Sequence, residues 1–289
     1  MVEAKNKIKE LLLELGLSTN ESIKEFYPSV RDREDVSVLK CSLSKVFLLS
    51  STNHIDFSHY QNKKVNDRKT DIARTLLDST RRRDDLESLM INKVWLDVGT
   101  GAGGVLDQLS PVTSETWAVE PQKEMRARLN ELSYQVFETI DEVPDDYFDI
   151  ISLFHVYEHI TSPIEFLQTL KKKLKVGGKI IIEVPHAEDM LLTFLDHDAF
   201  KKFTFWSEHL ILHTRKSLET FVTEAGLKVQ SIQGVQRYPL SNHLHWLKND
   251  KPGGHMKWAE LDSDELNNAY ANTLKRLNRT DTIMAIVEK

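Results

Sequence analysis

The part of the chain that most constrains its fold is Val94–Gly104, an apolar run that ends in an acid and then breaks into glycines. A short run of β-branched and aromatic residues closed by glycine is typical of a buried parallel strand. Glycines at positions 99, 101 and 103 allow a tight turn and a close approach to a ligand, because glycine has no Cβ. A helix is predicted from Gly104, with its free N–H groups directed at whatever the loop holds.

The spacing of these features narrows the choice of ligand. A dinucleotide fingerprint reads G-x-G-x-x-G, and here Gly103 comes one residue too early, although Gly104 fits the last position. A second apolar run, Thr116–Val119, ends in Glu120, 21 residues after Gly99. An acid at the end of the next strand is placed to accept hydrogen bonds from ribose hydroxyls. Together the loop and the acid predict a ligand that contains a nucleoside.

Four segments together resemble the motifs of class I S-adenosylmethionine-dependent methyltransferases. In chain order they are Leu96–Gly103, Val119–Pro121, Asp149–Ile160 and Leu174–Lys179, with Val176 where that family usually has proline. The resemblance covers roughly residues 92–235. It implies S-adenosylmethionine as the cofactor, S-adenosylhomocysteine as its product, and a terminal strand that runs antiparallel to the rest of the sheet.

Strand and helix patterns alternate through the same region, which predicts an α/β fold with a mostly parallel, Rossmann-like sheet of seven strands and helices on both faces. The predicted strands are 93–98, 116–120, 134–138, 148–154, 179–184, 227–236 and 281–288, and the predicted helices 104–110, 122–132, 163–174 and 215–225. We therefore expect a methyltransferase domain over residues 69–289, opened by a helix over 69–90. A long insertion at about 237–279, before the last strand, is expected to form a lid.

Residues 1–68 are expected to form a small N-terminal module. Residues 1–30 are predicted to hold one or two helices, the first an amphipathic helix over 1–16, and residues 36–40 and 45–49 to pair as a hairpin. The module resembles the one that precedes the methyltransferase domain in some bacterial sugar and polysaccharide methyltransferases. Some of those relatives carry a C-x-x-C zinc pair, but here the pair would be Cys41 and Ser44, so zinc is not expected.

Charge and composition limit the partners of the chain. The net charge of −6 argues against nucleic acid, because phosphate backbones are bound by basic surfaces. The basic runs Arg81–Arg83 and Lys171–Lys173 are interpreted as solvated helix faces. No apolar run approaches the ~20 residues needed to span a bilayer, and Cys41 is the only cysteine, so a cytoplasmic protein is expected.

The strand ends and the resemblance predict a set of cofactor-binding residues. Asp97 is expected to pair with the cofactor's ammonium group, the alternative being that it caps the glycine loop. Glu120 is expected at the ribose, the alternative being a solvated turn acid, and Glu138 can receive the adenine amino group. The full predicted set is Asp97, Gly99, Thr100, Gly101, Gly103, Glu120, Pro121, Gln122, Glu138, Phe154 and His155.

Three residues are predicted to be catalytic: His209, Glu208 and His155. The segment from Phe203 to Leu210 resembles an aromatic–x–Glu–His element of sugar C-methyltransferases, in which the Glu–His pair lies by the acceptor. Methyl transfer needs an acceptor that loses a proton, and a histidine with a pKa near ~6.5 is a suitable base. Glu208 would hold the tautomer of His209; the alternative is that His209 merely packs with Trp206.

The sequence therefore predicts methyl transfer to a small-molecule acceptor, in the first place a sugar or nucleotide-sugar intermediate of polysaccharide biosynthesis. Open alternatives are a quinone or secondary-metabolite O- or C-methyltransferase, a dinucleotide-dependent oxidoreductase, and a regulatory subunit that binds the cofactor without chemistry. No metal site is expected, because His243, His245 and His255 lack carboxylates at ligand spacing. The oligomeric state does not follow from the sequence.

Overall fold

The computed structural model describes residues 6–55, 57–61 and 67–289. Within these residues the strands, in chain order, are β1 (Ile23–Tyr27), β2 (Val38–Cys41), β3 (Phe47–Leu49), β4 (Val94–Val98), β5 (Glu115–Val119), β6 (Gln135–Phe137), β7 (Phe148–Phe154), β8 (Leu174–Pro185), β9 (Ile211–Leu212), β10 (Lys228–Val235) and β11 (Thr282–Glu288). The α-helices are α1 (Lys7–Glu14), α2 (Phe57–Gln61), α3 (Arg68–Met90), α4 (Gly104–Leu109), α5 (Lys123–Glu131), α6 (Pro163–Lys173), α7 (Asp198–Thr204), α8 (Arg215–Glu224), α9 (Leu240–Asn249), α10 (Gly254–Lys257) and α11 (Asp264–Leu277).

Seven strands form the larger sheet in the order β10-β11-β8-β7-β4-β5-β6. The five neighbouring strands β8, β7, β4, β5 and β6 pair in parallel. Strand β11 runs antiparallel to both β8 and β10. The predicted fold class is thus confirmed, including the antiparallel last strand. Each predicted core strand and helix is present, with most ends shifted by one or two residues; β8 begins five residues before its predicted start.

Alternate residues of the central strands face two separate apolar layers, as the period of two in a strand requires. Leu96, Ile151 and Ile182 are fully buried in one layer with residues of α6 and α8. Trp95, Ile150 and Ile181 point the other way and pack with residues of α3 and α4. Helices therefore cover both faces, which explains why these strands are apolar throughout.

The N-terminal residues form a second, antiparallel sheet in the order β1-β2-β3-β9. The predicted hairpin is β2 and β3. The prediction of helices throughout residues 1–30 is wrong after α1, since Ile23–Tyr27 is a strand. Phe26 on this strand packs against Phe47 and Phe205, and these aromatic contacts override the local helical pattern. Residues 1–5 of the predicted first helix lie outside the described residues.

Cys41 belongs to the core of this small sheet. It is fully buried, and its Sγ accepts a hydrogen bond of 3.4 Å from the Ser44 N–H and lies 3.3 Å from Ser22 Oγ. The turn that would carry a zinc pair in the related modules is thus closed by hydrogen bonds and packing.

The insertion before β11 is helical, not an irregular loop. It holds α9, α10 and α11. Trp246 on α9 is buried against the rings of Phe200 and Phe203, with each pair of ring centroids 5.2 Å apart. The insertion is therefore packed onto the segment that follows β8. No helix of the described residues is both long enough and apolar enough to cross a bilayer.

Candidate active site

The loop after β4 needs glycine at three positions. Gly99, Gly101 and Gly103 have φ angles of 74°, 55° and 78°, in the left-handed region that favours glycine. A Cβ on Gly103 would lie 2.6 Å from a methyl group of Leu129, whereas a Cβ on Gly101 would meet no atom within 4 Å. The loop is thus packed from behind at Gly103 and open at Gly101.

The carboxylate of Glu120 is held against this loop. Its Oε2 accepts a hydrogen bond of 2.7 Å from the Gly101 N–H, and its Oε1 accepts one of 2.8 Å from the Gln122 N–H. Only 3% of Glu120 is exposed, and burial raises the pKa of this carboxyl. Glu120 is therefore not a solvated turn acid.

A cavity of about 600 Å³, the first cavity, opens beside the loop. Its walls bring together eight of the residues that the sequence singled out. They are Gly99, Gly101, Glu120, Pro121, Gln122, Glu138, His155 and Glu208. Wall residues that the sequence did not assign to a role include Tyr60, Ile140, Val156, His159 and Phe166.

Four predicted cofactor-binding residues do not line the first cavity: Asp97, Thr100, Gly103 and Phe154. Asp97 is buried behind the loop, where its Oδ1 accepts a hydrogen bond of 2.6 Å from Ser152 Oγ. Trp95 Nε1 in turn donates to that Oγ at 2.8 Å. Burial raises the pKa of Asp97 to about 6.

Glu138 is a further acid in the wall of the first cavity. Its carboxylate forms an ion pair of 2.8 Å with Arg126 and accepts a hydrogen bond from Gln61. Arg126 also donates to the backbone carbonyls of Glu120 and Pro121. Arg126 therefore links the carboxylate of Glu138 to the backbone of Glu120.

A second cavity, of about 460 Å³, lies on the other side of His155 and His159, which line both. Aromatic residues dominate much of its wall: Phe154, Phe200, Phe203, Trp206, Tyr238 and Trp246. Of these, the sequence assigned a role only to Phe154, as a cofactor-binding residue, and placed Tyr238 and Trp246 in the expected lid. The others come from distant segments, so only the general aromatic content of 203–206 and 237–246 could have indicated them.

Three members of ion pairs, Asp78, Arg82 and Arg237, line the second cavity. Glu183 is fully buried and pairs with Arg81 at 2.9 Å and Arg82 at 2.6 Å. Burial alone would raise the pKa of Glu183, but the two arginines hold it below its usual value. Arg237 pairs in the same way with Asp78.

The interpretation of the basic runs as solvated helix faces is therefore wrong for part of each run. Arg82 is 7% exposed, because its partner Glu183 lies on the buried strand β8. Lys173 is 8% exposed and donates to the backbone carbonyl of Val143 at 2.8 Å. Arg83, by contrast, does face solvent.

The half-buried His155 pairs with the fully buried Glu158 where the two cavities meet. His155 has a φ of 57°, an uncommon conformation for a residue other than glycine. Its Nδ1 lies 3.3 Å from Oε1 of Glu158, and its Nε2 lies 3.5 Å from Oε1 of Glu183. Burial lowers the pKa of His155 well below its usual value and raises that of Glu158 to about 8.

The predicted pair Glu208 and His209 is divided between the cavities. Glu208, 3% exposed, lines the first cavity, whereas His209 lines the second. The ring of His209 lies 5.3 Å from that of His159 and 5.4 Å from that of Trp206. His209 thus packs with Trp206, as the alternative interpretation of the sequence expected, and also forms part of the wall of the second cavity.

The sheet order, the glycine loop and the buried acid after the second core strand define a Rossmann-like enzyme that binds a nucleoside at the carboxyl ends of its strands. Comparison of the sequence with family models gives a match to the methyltransferase domain family, type 23, over residues 57–232. The chain belongs to this family and is an S-adenosylmethionine-dependent methyltransferase.

Two curated relatives have similar sequences. The ubiquinone biosynthesis O-methyltransferase of Aeromonas salmonicida is 26% identical over 175 residues, which cover 55% of this chain and 73% of that protein. The mitochondrial ubiquinone biosynthesis O-methyltransferase of Homo sapiens is 25% identical over 53% of this chain, and the match spans 46% of its length.

Solved structures show the same fold. A methyltransferase from Thermotoga maritima, described as a possible histamine N-methyltransferase, superposes with a TM-score of 0.54 at 16% identity, covering 81% of this chain and 100% of that one. A methyltransferase from Archaeoglobus fulgidus superposes with a TM-score of 0.51 at 19% identity, covering 81% and 98%.

The residues of the first cavity fit S-adenosylmethionine. The space at Gly101 leaves the backbone open to a ligand, and the buried carboxylate of Glu120 is fixed beside it. A cavity of about 600 Å³ is also within the usual size range for a small-molecule site.

Proposed function

We propose that the protein transfers a methyl group from S-adenosylmethionine to an oxygen of a small aromatic acceptor of the quinol type. The observation that carries the proposal is that two cavities share His155 and His159 as a common wall. One cavity lies beside the glycine loop and Glu120, and the other has aromatic walls. The names of the curated relatives favour this acceptor class over the sugar that the sequence put first.

We propose that the loop from Gly99 to Gly103 and the segment from Glu120 to Gln122 hold the cofactor, with Glu120 at the ribose. Asp97 would act from behind the loop on the ammonium group, and Glu138 would lie by the adenine. When bound, the cofactor supplies an electrophilic methyl group whose bond to sulfur breaks with its electron pair left on sulfur, so that neutral S-adenosylhomocysteine remains. The protein positions the acceptor oxygen and keeps water out.

The acceptor would lie in the second cavity against the aromatic residues. Planar rings stack well on Phe203, Trp206 and Tyr238, which line this space. The guanidinium of Arg31 lies 4.7 Å from the Trp206 ring centroid and 5.3 Å from that of Phe203. We propose that Arg31 receives an oxygen substituent of the acceptor ring.

We further propose that the predicted units, residues 1–68 and the insertion at about 237–279, serve acceptor binding. Arg31 from the first and Tyr238, Asn242 and Trp246 from the second line the second cavity. Both units would then be additions to the common methyltransferase core that select the substrate.

A sugar or nucleotide sugar is the second candidate acceptor. His186, Asp189, Asn242 and Asp281 line part of the same cavity and offer polar groups for hydroxyls. These groups lie beside the insertion, so the cavity has one aromatic and one polar side.

Incubation with methyl-labelled S-adenosylmethionine and two acceptor panels tests the proposal. One panel holds catechols and hydroxylated quinols with short prenyl tails; the other holds sugars and nucleotide sugars. We expect label on a phenolic oxygen, identified by mass spectrometry, and a large loss of turnover in Trp206→Ala but not in Trp258→Ala. Label found only on sugars would contradict the proposed acceptor class.

A further inference from the structure

Three side chains that could ligate a metal converge between the two cavities. Ligand atoms of Glu158, His159 and His209 all lie within 4.8 Å of one another. His159 lines both cavities, and His209 lines the second. The cluster is therefore situated where the acceptor oxygen would have to meet the methyl group.

Glu158 shows the features of a buried ligand. It is fully buried, and within the described residues its Oε2 has no hydrogen-bond partner. A buried carboxyl oxygen without a partner is costly, so it calls for a specific explanation. A bound cation supplies one.

The surroundings hold the three ligands in place. His155 Nδ1 lies 3.3 Å from the other oxygen of Glu158, as outer partners of metal-bound carboxylates do. The Leu210 N–H donates to the Glu158 carbonyl at 2.9 Å, which ties the segment of His209 to that of Glu158. The ring of Tyr60 stacks on His159 with centroids 6.0 Å apart.

We propose that Glu158, His159 and His209 bind a divalent transition-metal ion of the Zn²⁺ type, and that this ion binds the acceptor hydroxyl; the second part rests on the proposed function. Two imidazoles and one carboxylate are the ligand set of many catalytic zinc sites, which keep an open position for water or substrate. Mg²⁺ and Ca²⁺ prefer oxygen ligands and suit the two histidines poorly.

The ion would take over the role that the sequence assigned to His209 as a base. Bound as the fourth ligand, the acceptor hydroxyl loses its proton to water in the cavity, since a cation lowers the pKa of a bound O–H group. The resulting oxyanion uses its electron pair to form the new bond to the methyl carbon. His209 then stays neutral as a ligand throughout.

The site was missed in the sequence because its ligands are far apart in the chain. His159 and His209 are separated by 50 residues, so no short spacing pattern connects them. The histidines that were weighed as ligands do not converge: His243 bonds to Tyr270, His245 to the Lys251 carbonyl and His255 to Asn242.

The test measures metal binding directly, with no acceptor present. The protein is stripped with a chelator, titrated with Zn²⁺ against a chromophoric competitor, and its metal content after gel filtration is read by mass spectrometry. Co²⁺ is loaded in parallel, because its visible spectrum reports tetrahedral coordination. His209→Ala and Glu158→Gln are compared with His255→Ala, and S-adenosylmethionine binding verifies that each variant is folded.

We expect one metal ion per wild-type chain and per His255→Ala chain. The two site variants should lose affinity by at least the roughly 10–100-fold that removal of an outer partner costs. Wild-type protein that binds no Zn²⁺, or a folded His209→Ala variant that binds it as tightly as wild type, would overturn the proposal. If Glu158→Gln does not fold, His209→Ala decides alone.

A second assay, of quinol methylation by the metal-loaded and the stripped protein, separates this inference from the proposed acceptor. If the protein binds the metal but methylates no quinol, the metal site is supported and the proposed acceptor class is contradicted. If the stripped enzyme methylates quinols at an unchanged rate, the role of the metal in binding the acceptor hydroxyl is contradicted and the acceptor class is supported.

Discussion

The carboxylate of Glu120 accepts a hydrogen bond of 2.7 Å from the backbone N–H of Gly101, so the acid and the loop are one rigid unit. We expect Glu120→Ala to weaken S-adenosylmethionine binding by about 10–100-fold, because a charged hydrogen bond contributes roughly 1.5–3 kcal/mol. Isothermal titration calorimetry measures this, with the exposed Glu131→Ala on α5 as control. Equal affinities in the two variants would contradict the role of Glu120.

Gly101 combines a left-handed backbone with an open side facing the first cavity. We expect Gly101→Val to abolish cofactor binding, since a branched side chain would both strain the turn and fill the cavity. Gly177→Val is a matched control: Gly177 also has a positive φ, 74°, and no atom near its Cβ direction, but it lies at an exposed position of strand β8. If both variants bind the cofactor equally well, the loop assignment is wrong.

We expect Asp97 to make cofactor binding depend on pH. Burial raises the pKa of its carboxyl to about 6, so the group becomes protonated as the pH falls through 6 and loses the charge that would attract an ammonium. We expect the cofactor's dissociation constant to rise by at most about 10-fold per pH unit below 6. Titrations between pH 5 and 8 measure it.

The matched variant for this pH dependence is Asp97→Asn. It should bind weakly at every pH and show a flatter profile, with any remaining slope due to Glu120, whose pKa is also raised by burial. A variant with the wild-type profile would show that Asp97 does not carry the effect.

The buried ion pair of Arg82 and Glu183 is important for stability. Removing one partner leaves a buried charge with less compensation, which typically costs about 3–5 kcal/mol. We expect Arg82→Met to lower the free energy of unfolding by about 3 kcal/mol, the lower end of this range, because Arg81 still pairs with Glu183. Urea unfolding followed by tryptophan fluorescence measures it.

Arg83→Met serves as the control for that experiment. Its side chain is 39% exposed and pairs with Asp84 at the surface, so its loss should change the free energy of unfolding by less than about 0.5 kcal/mol. Similar costs for the two variants would argue against a special role for the pair with Glu183.

Much of the core follows from local chemistry. The glycines at 99, 101 and 103 are required by backbone angles that other residues rarely adopt, and this requirement is visible in the sequence. The apolar runs of β4, β7 and β8 predict strands buried on both faces, because no polar face alternates along them. The sheet and the position of Glu120 were accessible in this way, whereas the antiparallel last strand was expected from the family resemblance.

Other elements depend on distant partners. Ile23–Tyr27 is a strand because β2 and the ring of Phe205 are there to receive it. Arg82 is buried because Glu183, about a hundred residues later, lies opposite. A local pattern contains no information about such partners, so a helix and a solvated face were the natural predictions.

The sequence by itself thus determined the nucleotide-binding half of the protein, where each feature depends on a few neighbouring residues. The tertiary structure alone decided the second cavity, which we propose as the acceptor site. Only folding brings Arg31, Trp206, Tyr238 and Trp246 to one cavity, and Glu158, His159 and His209 to one point. The physical reason is that these contacts are side-chain contacts across large separations in the chain, which no periodicity or spacing records.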